Sequence, residues 1–184
     1  KQKTAYEIKE CDWNSDVCSS DLDAPLLVFG GPYSNLQATQ ALLAEAARRG
    51  IPGDRIVCTG DIVAYGGDPQ ACVDLLRAHG VHVVMGNCEE QIATGAEDCG
   101  CGYAPGTACD RLSQAWYPFA LRALDAEARD WMGALPRRID LRINGLDLAF
   151  VHGALNAISR FVFASTPARV KARDIEAAQI GRAH

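Results

Sequence analysis

Lysine is nearly missing from this 184-residue chain: Lys1, Lys3 and Lys9 open it, and Lys171 is the only one that follows, against fourteen arginines. No apolar run approaches the roughly 18 residues of a membrane-spanning helix. No surplus of positive charge is available for a nucleic-acid backbone either, since 18 Lys and Arg face 23 Asp and Glu for a formal charge of −5. The eight cysteines include no C-x-x-C pair, which argues against a zinc ribbon or knuckle. Internal repeats and low-complexity stretches are lacking, which sets aside solenoids, collagen and coiled coils. What is present, 48% hydrophobic residues over this length, fits one globular domain with a real core. A domain of that size does not need disulfides, so a cytoplasmic home with reduced thiols is expected.

The lysine asymmetry sets the ends apart. KQKTAYEI and CDWNSDVCSSDL, within residues 1–22, resemble translated sequencing adapter. Back-translating VCSSDL and taking the opposite strand yields X-Ile-Gly-Arg-Ala-His, and the chain closes on Ile180-Gly-Arg-Ala-His184. On this reading residues 1–22 and 180–184 are adapter-derived tails, excluded from fold reasoning, and 23–179 is an incomplete domain. That domain keeps six cysteines, with 14 basic and 18 acidic residues.

Within it, apolar runs alternate with helical periodicity. Pro25–Phe29 reads as a buried strand breaking at Gly30-Gly31, and Asn35 as the N-cap of a helix that Gly50 stops. Arg55–Cys58 is a second strand, and Asp68-Pro69 opens a helix ended by Gly80. Val81–Met85 is a third strand, ending at Gly86-Asn87. Strand, helix, strand, helix, strand with short connections is the signature of a parallel sheet, whose ligands gather at the strands' carboxyl ends. Further on, 97–107 is an irregular loop, 110–124 and 125–135 are helical, and Asn144-Gly145 joins two strands over 138–143 and 146–152 in a hairpin. A last helix starts near Thr166-Pro167.

Three strand ends carry chemistry: GDIVAYGGDP (60–69), GNCEE (86–90) and FVHG (150–153). Each sets a metal ligand, Asp61, Asn87 or His152, beside a glycine that permits close approach of backbone and phosphate. In order and context these blocks resemble the metallophosphoesterase superfamily, the calcineurin-like phosphoesterases. The resemblance implies a four-layer α/β/β/α sandwich, here C-terminally truncated before the family's GH-x-H block. It also implies a divalent metal (Mn, Zn, Fe or Mg) held by Asp61, Asn87 and His152.

The chain departs from the family's pattern twice. Where the first block carries Asp and His, this chain has Gly31 and Tyr33, so a standard first metal site should be lost or strongly weakened. Cys88 stands where the family has a histidine beside the phosphoryl group, and Glu89 keeps the acidic partner of that histidine. A thiol is a poor substitute for an imidazolium acid. These residues imply a phosphoesterase with a single altered metal centre, with Cys88 and Glu89 in the catalytic positions. It would act on a phosphorylated small molecule or a phosphoprotein, with no nucleic-acid or membrane partner. The alternative is an inactive phosphoesterase-fold protein that binds or regulates.

Among the remaining candidates, Tyr33 and Tyr65 could face substrate. Cys99, Cys101 and Cys109, with Cys88, could form a thiolate cluster for metal or redox work, or merely a small-residue loop over the site. His79 suits a helix end, His82 reads as packed or solvated, and Trp116, Tyr117, Trp131 and Met132 as core or lid. Arg137, Arg138 and Arg160 read as solvated surface ahead of an anion site. Gly30-Gly31 lacks the G-x-G-x-x-G spacing of a dinucleotide fold.

Overall fold

In the computed structural model the backbone is described for residues 7–8, 11–12 and 21–178, and side chains for 23–178 except Cys109. Most of the two presumed tails, and the Cys109 thiol, lie outside the described residues.

Asn35 sets the first helix as its residue type demands: its Oδ1 accepts from the Ala38 N–H at 3.0 Å. From that cap α1 runs Leu36–Arg48 and ends at Gly50, whose φ of +68° is left-handed. α1 follows β4 (Leu27–Phe29), which is preceded by three two-residue strands, β1 (Glu7–Ile8), β2 (Cys11–Asp12) and β3 (Asp21–Leu22). A 3₁₀ turn (Gly53–Arg55) leads into β5 (Ile56–Cys58), then α2 (Pro69–Ala78), with Pro69 at its first position, and β6 (His82–Val83). After it come α3 (Asn87–Thr94), α4 (Ala108–Ala123), α5 (Ala126–Gly133), β7 (Arg138–Ile143), β8 (Leu146–Val151) and α6 (Ala168–Ala178).

Two three-stranded sheets carry the domain. One is the parallel β4-β5-β6, as the alternating strands and helices predict; the other is β3-β7-β8. In the second sheet β7 and β8 pair antiparallel with Ile143 opposite Leu146, and Asn144 and Gly145 both take positive φ (+50° and +76°), the conformation of a two-residue primed turn. β3 runs parallel to β7, with Leu22 opposite Ile143.

Pleat alternation decides which residues fill which core. Ile56 and Cys58 of β5 point to the helix side, where they join Leu43, Ala46, Cys72, Val73 and Leu76 of α1 and α2. Val57, between them, points the other way and meets Val84, Ile139 and Leu141 in a second core between the sheets. The parallel sheet is therefore buried on both faces and the hairpin on one, which accounts for the apolar runs of the former and the alternating RIDLRI of β7. Each large aliphatic side chain buried this completely stabilises the fold by about 2 kcal/mol. Trp116, Tyr117 and Met132 are buried, as their helical spacing predicts.

The result is an α/β fold with a parallel sheet. Two local details differ from the sequence reading: β6 is shorter than 81–85, and GNCEE is the first turn of a helix, α3, rather than a loop alone. No helix among the described residues is long and apolar enough to cross a membrane.

Candidate metal centre

The loops at the carboxyl ends of β4, β5 and β6 interlock through their glycines. A Cβ on Gly60 would come within 2.7 Å of the Gly86 amide nitrogen and 2.9 Å of His152 Nδ1, so only glycine allows this approach. Beyond it, Ile62, Val63 and Ala64 are fully buried anchors of the GDIVAYGGDP loop. The residues flanking those anchors, Asp61 and Tyr65, are thrown outward with φ of +58° and +56°. Tyr33 and Ser34 on the neighbouring loop are also left-handed, both at +53°. Four of the five non-glycine residues with positive φ among the described residues thus lie on these two loops.

Asp61, Asn87 and His152, from three separate strand ends, are brought together. His152 Nδ1 lies 2.7 Å from the carbonyl oxygen of Thr59. Since that oxygen can only accept, Nδ1 carries the proton and Nε2 is left facing the site. Nε2 is 3.1 Å from Asn87 Oδ1 and 3.6 Å from Asp61 Oδ2. The Asn87 amide cannot turn to donate, because its Nδ2 already donates to the Cys99 carbonyl at 2.8 Å. Asp61 Oδ1 is buried with no hydrogen-bond partner. A carboxylate, an amide oxygen and an imidazole lone pair therefore converge with nothing positive between them. Such a donor set fits a divalent cation, with Thr59 and Cys99 as the outer groups that orient the ligands. Among the described residues no group of three or more His, Cys, Asp and Glu side chains is placed to hold a metal ion; here Asp61 and His152 are joined by the neutral amide oxygen of Asn87.

Neither residue that the sequence reading placed in a catalytic position faces the cavity. Glu89 is wholly buried, and its two oxygens accept from the backbone N–H groups of Ile62 (2.7 Å), Asp61 (2.8 Å) and Gly86 (3.0 Å). It ties the Asp61 loop to the start of α3, and so acts as a positioning residue. Burial, and then the charge of Asp61, raise its carboxyl above the usual range against the pull of those amides. Cys88 is 1% exposed. Burial first, then the carboxylates of Asp61 and Glu89, push its thiol up, so it stays protonated and offers no thiolate.

The thiolate cluster is not assembled either. Gly100, at φ +63°, folds Cys99 and Cys101 to the same side with Cα atoms 5.4 Å apart, and the two form a disulfide. Paired in this way they leave no free sulfur for a metal; Cys58, Cys72 and Cys88 are free and buried.

The first block is closed by backbone as well as altered in side chain. A Cβ on Gly31 would sit 2.7 Å from the Asp61 carbonyl oxygen and 2.9 Å from that of Gly60. The same packing is secured by Tyr33 N–H donating to the Asp61 carbonyl (3.2 Å) and Ser34 N–H to that of Ile62 (2.6 Å). A ligand side chain at position 31 has no room in this arrangement.

The centre opens into a cavity of about 300 Å³ whose wall includes Tyr33, Tyr65, Tyr103, Phe161 and Arg160. Tyr33 and Tyr65, which the sequence reading offers as substrate-facing candidates, both line it. Tyr103 and Phe161 were not legible there, because nothing in their local sequence marks them. The arginines read as surface groups are in ion pairs: Arg137 with Glu90, Arg138 with Asp140, and Arg160 with Asp174 at 2.6 Å. His79 Nδ1 donates to the Leu75 carbonyl of its own helix at 2.9 Å, as a helix-end histidine can.

Comparison with known proteins joins this geometry to a family. Over 62 residues, 34% of this chain and 25% of the relative, the sequence is 42% identical to the uncharacterised protein MJ0912 of Methanocaldococcus jannaschii. The crystal structure of a metallophosphoesterase from Sphaerobacter thermophilus is similar with a TM-score of 0.58 at 26% identity, covering 83% of this chain and 55% of that one. The hypothetical protein PH1004 from Pyrococcus horikoshii OT3 shares the fold with a TM-score of 0.63 at 18% identity, covering 83% and 64%. The chain thus spans a quarter of that curated relative and between half and two thirds of these solved ones. Residues 15–177 match the calcineurin-like phosphoesterase family. The match begins inside the stretch read as adapter, and the comparisons lend that reading no support. With the match covering most of its length, the chain belongs to the calcineurin-like phosphoesterases, a family of metal-dependent phosphoric ester hydrolases.

Proposed function

We propose that this chain carries the active site of a phosphoesterase that hydrolyses a phosphomonoester or phosphodiester through one altered metal centre of Asp61, Asn87 and His152. The observation behind this reading is the surplus of acceptors: three ligand atoms face one another, and the buried Asp61 Oδ1 has no partner. When bound, a divalent cation supplies Lewis acidity toward a phosphoryl oxygen and makes water acidic enough to attack at neutral pH.

The chain's own residues do the rest. Thr59 fixes the tautomer of His152, Cys99 fixes the amide of Asn87, and Glu89 holds the loop that presents Asp61. The cavity wall partly shields the reacting group from water, with His152 and Asp61 19% and 16% exposed in their side chains. In the whole protein, we place this unit in a four-layer α/β/β/α sandwich, with α1 and α2 outside one sheet and α6 outside the other. Arg138 of β7 donating to the Ala178 carbonyl of α6 supports that placement.

The closure of the first block around Gly31 and the burial of Cys88 favour a second reading, a phosphoesterase fold that binds without turnover. Calorimetric titration with Mn2+, paired with hydrolysis of aryl phosphomonoesters and diesters, separates the two. The expected result is one equivalent of Mn2+ and metal-dependent turnover, both lost in His152→Ala and in Asp61→Asn. Asn tolerates the left-handed backbone at position 61, which makes that variant clean. Mn2+ binding without any turnover selects the second reading, and no Mn2+ binding by folded protein removes the first.

A further inference from the structure

Four aromatic rings from four loops line the way to the metal centre. Tyr33 and Tyr65 pack with ring centroids 5.2 Å apart, and both remain near 45% exposed. Tyr65 rests edge-on against the buried Trp116 at 5.3 Å, and its hydroxyl meets that of Tyr103 at 3.3 Å. Tyr103 in turn packs on Phe161 at 6.3 Å. Phe161 is 56% exposed and stacks nearly parallel to Phe163.

An aromatic side chain left half in water costs free energy that folding does not recover. Here two of the four are also held in left-handed backbone that bulky residues avoid. Both costs are concentrated at the mouth of one cavity, and Trp116 keeps the Tyr65 ring in place before any ligand arrives.

The charge of the wall narrows the ligand. Arg160 is the one cation among the lining residues, and its guanidinium is held by Asp174 at 2.6 and 2.7 Å. A polyphosphate chain would find no further positive group, whereas a single phosphoryl group would be met by the metal centre alone. The rings form two packed pairs, Tyr33–Tyr65 tilted at 58° and Tyr103–Phe161 at 31°, joined into an arc through the Tyr65 and Tyr103 hydroxyls rather than into the closed box that holds a quaternary ammonium.

We propose that the site takes a phosphoester with one phosphoryl group whose organic part carries a planar aromatic ring, stacked on the arc of Tyr65, Tyr103 and Phe161. The inference rests on the metal-centre reading above and names the substrate class of that centre. Nucleobases and simple aryl groups share this chemistry.

Binding in the presence of Mn2+, measured by calorimetry on the full chain, tests it. The probes are adenosine monophosphate, phenyl phosphate, glycerol phosphate and phosphocholine. The ring-bearing ligands are expected to bind about tenfold more tightly than glycerol phosphate. Tyr65→Leu and Phe161→Ser should each shrink that ratio toward one. Phe161 is exposed enough that its replacement leaves folding intact. Adenosine monophosphate binding ahead of phenyl phosphate identifies a nucleoside as the source of the ring, and the reverse order an aryl group. Equal affinity for glycerol phosphate, tighter binding of phosphocholine, or a ratio that survives both substitutions overturns the inference while Mn2+ binding leaves the metal centre standing. Absence of Mn2+ binding overturns both.

Discussion

Two histidines at opposite edges of the sheets show how differently one residue type can be used. His82 begins β6 at the amino edge, is 6% exposed, and has Nε2 3.2 Å from the Asp54 carbonyl. Burial lowers its pKa to about 4, a shift that the Asp54 carbonyl only partly opposes, so the ring is neutral. His152 follows β8 at the carboxyl edge. It also leans on a backbone carbonyl, that of Thr59, but its second nitrogen faces a carboxylate and an amide oxygen. The strained residues Tyr33, Ser34, Asp61 and Tyr65 lie at the carboxyl edge as well. One edge is neutral and suited to stability; the other gathers strained backbone and three converging polar side chains, the arrangement proposed above to hold a cation.

The contrast breaks most easily at its centre. Substituting His152 by Ala should reduce Mn2+ affinity at least a hundredfold while barely moving the denaturation midpoint. His82→Ala should do the reverse, losing about 2 kcal/mol of stability with Mn2+ affinity intact. Calorimetry and urea denaturation on the same samples read both, and equal effects on affinity would abolish the distinction between the edges. Glu89→Ala should cost about 4 kcal/mol, since it leaves three buried amides without an acceptor, and should lower Mn2+ affinity with it. A loss of affinity at unchanged stability would instead make Glu89 a direct participant.

The amino edge has its own pH signature. Because the folded pKa of His82 is depressed, its contribution is complete above about pH 6.5 and is lost as pH falls from there toward 4, where only the unfolded chain takes up the proton. The loss reaches about 3 kcal/mol. Urea midpoints across that window should fall less steeply for His82→Gln than for the native chain, and parallel slopes would contradict the assignment.

At the carboxyl edge, Gly31→Asp should cost about 2 kcal/mol and add no second equivalent of Mn2+, because the new Cβ meets the Gly60 and Asp61 carbonyls. A second equivalent would show that side chain alone had closed the first block. The smallest effect is expected at Ser34, whose buried hydroxyl has no partner and whose φ is +53°. Ser34→Gly should raise stability by about 1 kcal/mol, and destabilisation there would show that the hydroxyl is in use.

Local chemistry accounts for how much of this was legible. Asn35, Asp68-Pro69 and Asn144-Gly145 each act within a few residues, so the helix starts and the hairpin could be read directly. The convergence of Asp61, Asn87 and His152 was marked by the glycine beside each. Helix α3 was hidden because its N-cap is Gly86 rather than a hydroxyl or carboxamide residue, the capping bond running from the Gly86 N–H to Glu89. The buried fate of Cys88 and the aromatic arc depend on contacts between distant loops, which no local pattern encodes.

The bond from His152 to Thr59 also joins the two sheets, one partner following β8 and the other β5. A cation shared by Asp61, Asn87 and His152 would work as a rivet through both layers, gripping the native arrangement and nothing in the unfolded chain. Loading at a thousand times the dissociation constant would then add about 4 kcal/mol against unfolding, and metal supply would govern how long the protein lasts.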